Sequence, residues 1–122
     1  MLTQLISKLF GINRSKNKSK KFQTLSSEEF KRMTKQKDAI ILDVRTSTEY
    51  KQGHISGAEN VDVFSRKFLK NLKSHPKTHS YLIYCRSGNR SIEACKTLSA
   101  NGYKKVYCLD GGILNWKGDL VK

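Results

Sequence analysis

Proline is nearly absent, with Pro76 the one example in 122 residues. Such a chain is no polyproline segment, and a hydrophobic content of 37% sets it among folded sequences rather than disordered ones. Long apolar runs are missing too: none approaches the roughly 20 residues of a membrane-spanning helix. Cysteine is scarce. Cys85, Cys95 and Cys108 form an odd set without a close pair, which excludes a disulfide framework and the common zinc spacings. Free thiols suit a reducing compartment, so the cytoplasm is the expected location. Acidic residues are few, ten against 24 Lys and Arg, leaving a net charge of +14. The basic residues have no interleaved aromatics and no nucleic-acid-binding module, so nucleic acid is not an expected partner.

The positive charge is unevenly placed. Residues 1–24 hold six basic residues and no acidic one, and residues 25–122 hold 18 and ten, which splits the total into +6 and +8. Leu2, Leu5, Ile6, Leu9 and Phe10 fall at amphipathic helical spacing, and residues 13–21 form a polar, basic linker. Thr3, Gln4, Ser7 and Lys8 interrupt the apolar stretch and no small-residue cleavage site follows, which argues against a signal peptide. Residues 1–21 therefore make an amphipathic, basic arm ahead of one domain over 22–122. One reading of the arm is a peripheral anchor on an anionic membrane surface. The other is a partly disordered arm, or a helix packed on the domain.

Beyond the arm, strand and helix signals alternate. Strands are expected at Phe22–Leu25, Ala39–Val44, Tyr81–Tyr84 and Lys105–Leu109, with a further strand or extended segment from Asn60 to Val63. Ser26 with Glu29 and Thr46 with Glu49 are capping boxes that open two helices. A third helix is expected from Ser65 to Ser74, with Phe68, Leu69 and Leu72 inward. A fourth runs from Ser91 to Ala100, and Ile113 and Trp116 lie on a short last one, the tryptophan covering the core. This alternation predicts an α/β domain with a mainly parallel central sheet flanked by helices. Ligands of such sheets bind beyond the carboxyl ends of the strands, where Arg45, Cys85 and Asp110 fall.

Cys85 ends a buried strand and is followed by Arg86, Ser87, Gly88, Asn89, Arg90 and Ser91. A helix N-terminus exposes unpaired N–H groups and the positive end of its dipole. A tight turn through Gly88 can aim further N–H groups inward. With Arg86 and Arg90 added, the loop favours a thiolate and an anion beside it. Cys95 shares a helical face with Ile92 and Leu98, Cys108 alternates with Val106 in a strand, and both read as small core residues. Asp43 and Arg45 read as a buried ion pair in preference to a catalytic one. His54 reads as a hydrogen-bonded turn residue in preference to a general base, and His75 and His79 as solvated.

The loop Cys85-Arg86-Ser87-Gly88-Asn89-Arg90 resembles the six-residue active-site loop of the rhodanese family of sulfurtransferases. Asp43-Val44-Arg45, Glu49-Tyr50 and Gly53-His54-Ile55-Ser56-Gly57-Ala58 resemble its upstream signature, and Gly111-Gly112-Ile113-Leu114-Asn115-Trp116 its C-terminal one. The resemblance spans residues 22 to 118 and departs at Ser56, where proline is common in the family. It implies that Cys85 takes a sulfane sulfur from a small anionic donor such as thiosulfate, holds it as a persulfide, and yields it to cyanide, a thiol or a protein sulfur acceptor. Residues 86–91 would bind the donor, Arg86 and Arg90 through its sulfonate oxygens, with no cofactor and no metal. Two other readings stand beside it. Cysteine phosphatases and arsenate reductases have a loop one residue longer, and a sulfur-relay module would keep the same thiol with slow turnover.

Overall fold

The computed structural model describes residues 21–72 and 75–122. The amphipathic stripe and the basic linker up to Lys20 lie outside the described residues. The chain forms β1 (Gln23–Leu25), α1 (Ser27–Met33), β2 (Ala39–Asp43), α2 (Ser47–Lys51), β3 (His54–Ile55), β4 (Glu59–Asn60), α3 (Phe68–Asn71), β5 (Ser80–Tyr84), α4 (Asn89–Ala100), β6 (Lys105–Leu109), a 3₁₀ turn (Gly112–Asn115) and β7 (Leu120–Val121). Both capping boxes form. Glu29 N–H donates to Ser26 Oγ and Glu49 N–H to Thr46 Oγ, and each glutamate accepts from its cap residue's N–H in return.

Five strands make one parallel sheet in the order β1-β6-β5-β2-β4. β5 lies at its centre and is buried throughout, as a strand with both faces covered must be. The two-residue period sends Tyr81, Ile83 and Cys85 into the cluster with Phe68, Leu72, Cys95 and Leu98, beneath α3 and α4. Leu82 and Tyr84 pack on the other face with Phe30 and Ile41. Trp116 closes that second face, edge-on to Phe30 with ring centroids 6.0 Å apart. Among the described residues no helix is long and apolar enough to cross a membrane.

The structure departs from the sequence expectation in four places. The helix expected over 65–74 is one turn, Phe68–Asn71, in its described part. Asp62 and Ser65 side chains accept the N–H groups of Phe64 and Lys67, and these local bonds hold the chain in turns. The extended segment from Asn60 to Val63 pairs as a strand only at Glu59–Asn60, although the Val61 and Val63 N–H groups still donate to Asp43 and Val44. The C-terminal tail, which carries no sequence signal, pairs antiparallel with His54–Ile55 as β7. His75 is half-buried and bonds Glu59 Oε1 through Nε2 at 2.9 Å, so it is not a free solvated side chain.

Candidate active site

Cys85 follows β5 directly, and its thiol sits at the carboxyl end of the central strand. Gly88 makes the turn that follows. Its φ of +115° lies in the region that side-chain-bearing residues rarely adopt, and its N–H donates to Cys85 Sγ at 3.1 Å. α4 starts at Asn89, two residues earlier than the apolar spacing of Ile92, Cys95 and Leu98 indicates. Asn89, Arg90 and Ser91 therefore form its first turn, whose N–H groups have no carbonyl within the helix. Arg86 and Ser87 are exposed on the rim, Gly88 is buried, Asn89 is exposed, and Ser91 is buried.

The sulfur lies on the floor of this turn, and Cys85 is only 1% exposed. Below it is a polar thread that the sequence did not reveal. Ser91 Oγ donates to the Gly88 carbonyl at 3.0 Å and lies 3.5 Å from Cys85 Sγ and 3.1 Å from Cys108 Sγ. Cys95 lies beyond, its thiol held well above the ordinary range by the hydrogen bond with Cys108 and by burial. Cys95 and Cys108 are both buried, as expected of core residues. The Ser91 hydroxyl can rotate from the Gly88 carbonyl to a thiolate on Cys85, so the floor can follow the charge of the sulfur.

The two loop arginines differ. Arg86 is exposed and makes no ion pair among the described residues. Arg90, expected to hold the donor, directs its fork to Glu49, with Nη1–Oε1 2.7 Å and Nη2–Oε2 3.0 Å. That bidentate pair ties the first turn of α4 to α2. Glu49 does two jobs, because the same Oε1 also accepts from the Thr46 N–H. The Arg90 hydrogen bonds lead in lowering the Glu49 carboxyl from 4.5 to about 2. A carboxyl depressed in the fold adds stability that is complete above its unfolded value and lost as pH falls toward the folded one. Glu49→Gln should therefore cost about 1 kcal/mol at neutral pH, with the deficit shrinking in acid below about 4.5. Thermal melts of both proteins across that interval check it.

A second support comes from the C-terminal end. The Ile113 and Leu114 N–H groups donate to the carbonyls of Cys85 and Arg86 at 2.8 and 3.2 Å. Those two bonds fix the peptides that open the loop, ahead of the Gly88 N–H that meets the sulfur. Gly112 makes this docking possible. A Cβ there would collide with the Arg86 carbonyl oxygen, and its φ is +67°. The sequence marked the glycine pair as the start of a C-terminal signature, and its contact with the thiol loop was not legible there. Gly112→Ala should cost about 1–3 kcal/mol of backbone strain and remove most activity by pushing the loop outward. Denaturant unfolding and a sulfur-transfer assay on the same preparation test both parts.

Asp43 and Arg45 make the buried pair that the sequence favoured. Arg45 Nη2 lies 2.6 Å from Asp43 Oδ2 and donates also to the Gly53 carbonyl at 2.7 Å. His54 stacks on Tyr50 with centroids 3.7 Å apart, and its Nδ1 meets the Tyr50 carbonyl at 2.9 Å. It thus takes the turn-holding position.

Comparison with known proteins agrees with this fold. The family model for the rhodanese-like domain matches residues 26–119. The chain is 31% identical over 97 residues to a thiosulfate sulfurtransferase, GlpE, of Pseudomonas putida, covering 79% of this chain and 86% of that protein. It is 34% identical over 107 residues to a tRNA uridine(34) hydroxylase of Pelagibacter ubique, covering 87% of this chain but 36% of that one. The chain thus spans about a third of the length of the hydroxylases it matches. Among solved structures, a rhodanese-like domain protein of Staphylococcus aureus superposes with a TM-score of 0.68 at 32% identity, over 80% of this chain and 92% of that one.

Proposed function

The chain belongs to the rhodanese-like family, and from that premise we propose that it moves a sulfane sulfur from thiosulfate or a persulfide donor to a thiophilic acceptor through a persulfide on Cys85. The Cys85 thiolate attacks the outer sulfur of thiosulfate. A Cys–sulfur bond forms, the sulfur–sulfur bond of thiosulfate breaks, and sulfite leaves with the electron pair. Cyanide or a thiolate then attacks the outer sulfur of the persulfide, and the Cys85 thiolate is restored. No net oxidation of the protein occurs, and the cycle calls for neither metal nor cofactor.

The observation that carries this reading is the Cys85 cradle itself. It offers a sulfur with a bonded N–H from Gly88 and further unpaired N–H groups from the first turn of α4. Fixed donors around a developing sulfur anion stabilise it without reorganisation. Arg86, exposed on the rim, is the cation for the donor's sulfonate oxygens, while Arg90 shapes the loop through Glu49. Four residues separate Cys85 from Arg90, a small ring for a tetrahedral phosphate and a sufficient one for a sulfur atom. Steady-state assays test this directly. The protein should consume thiosulfate in the presence of cyanide and leave p-nitrophenyl phosphate intact. Faster phosphate-ester hydrolysis would refute the loop-size argument. Slow cyanide turnover with rapid transfer to a protein thiol would identify a relay.

A further inference from the structure

All strands of the main sheet run the same way, so the connecting segments sort to two ends. At the carboxyl end the charges largely cancel. Arg45 faces Asp43, Arg90 faces Glu49, and Asp62 and Asp110 follow β4 and β6. The amino end is different. Lys21 precedes β1, Lys35 and Lys37 precede β2, Lys77 precedes β5, Lys104 precedes β6 and Lys105 opens it. Asp38 is the one carboxylate in these segments, and it lies 3.9 Å from Lys105.

Three of these lysines converge. Lys21 and Lys104 line one hollow of about 450 Å³ with Ser99, Gly102 and Tyr103. Lys77 Nζ lies beside two of these lining residues, 5.4 Å from the Tyr103 ring centroid and 3.7 Å from where a Cβ on Gly102 would stand. No carboxylate among the described residues comes within ion-pair range of Lys21, Lys77 or Lys104. Like charges gathered round a concavity raise its positive potential and call for an anion. The sequence that leads into Lys21 carries Arg14, Lys16, Lys18 and Lys20, preceded by Leu2, Leu5, Ile6, Leu9 and Phe10 at helical spacing.

We propose that the amino end of the sheet is a docking face for an anionic bilayer. The lysine hollow takes a lipid phosphate, and the Cys85 mouth, at the opposite end of the sheet, faces water. Charge alone would serve a nucleic acid equally. Lipid is favoured because an apolar stripe beside a basic run gains affinity in a bilayer interface and none on a phosphodiester backbone. The inference is independent of the sulfur chemistry.

The test is co-sedimentation of the full chain with phosphatidylcholine vesicles, with and without phosphatidylglycerol, at low and high salt. Two triple variants remove equal charge: Lys21→Gln/Lys77→Gln/Lys104→Gln on the face, and Lys51→Gln/Lys67→Gln/Lys117→Gln at the opposite end of the sheet. Thermal melts verify that both fold. The full chain should sediment only with the anionic vesicles and release in salt. The face variant should partition about tenfold more weakly or worse, and the control should change less than about threefold. Iodoacetamide should alkylate Cys85 at the same rate with and without bound vesicles. Equal loss in both variants, sedimentation with neutral vesicles, or shielding of Cys85 would overturn the proposal. So would a face variant that loses affinity for duplex RNA while the full chain ignores vesicles.

Discussion

Replacing Cys85 by serine is expected to abolish sulfur transfer and leave the fold standing. The hydroxyl does not ionise near neutral pH, so no nucleophile and no persulfide form. The fold should survive because the hydroxyl oxygen introduced by Cys85→Ser can accept the Gly88 N–H that now meets the sulfur. The other two cysteines give the opposite pattern. Cys95→Ser and Cys108→Ser place hydroxyls in the buried cluster beside Leu98 and Val106, at a cost on the order of 1–3 kcal/mol each, while the thiol that reacts is untouched. A thiosulfate–cyanide assay beside a thermal melt separates the two classes. Substantial activity in Cys85→Ser would remove the residue from the chemistry.

Arg45→Met should produce the largest stability loss. Asp43 is fully buried, and the substitution removes the Nε and Nη2 bonds that neutralise its carboxylate, leaving it the Arg45 backbone N–H and the Tyr84 hydroxyl. Breaking a buried pair by deleting one partner costs about 3–5 kcal/mol, because the other charge stays behind. For a domain of this size that lowers the melting temperature by roughly 4–8 °C per kcal/mol. Asp43→Leu/Arg45→Met should recover much of the loss, since it leaves no unpaired charge. The pair stands behind the loop, so sulfur transfer per folded molecule should hold in both variants. A collapse of turnover in molecules that remain folded would give the pair a part in catalysis.

Much of this site was readable in the sequence because its signals are local. The apolar run before Cys85, the glycine within the turn and the two capping boxes each act over a few residues. The start of α4 was misplaced because the polar side chains of Asn89 and Arg90 add nothing to an apolar period, and Gly88 caps the helix through its backbone alone. What stayed hidden is pairwise and distant. Glu49 and Arg90 are 41 positions apart, and the two loops that bring them together meet only after β2 and β5 have paired. Gly112 under the thiol loop and the tail strand against His54–Ile55 are of the same kind. The Cys85–Ser91–Cys108 thread joins a strand end, a helix and the neighbouring strand, so no spacing rule could announce it.

The central claim is that Cys85 carries sulfur, and intact-mass analysis after brief exposure to thiosulfate tests it most directly. The expected result is a gain of one sulfur atom per chain, mapped by peptide analysis to Cys85, released by cyanide and absent from Cys85→Ser. An unchanged mass, or a sulfur found on Cys95 or Cys108, would contradict it.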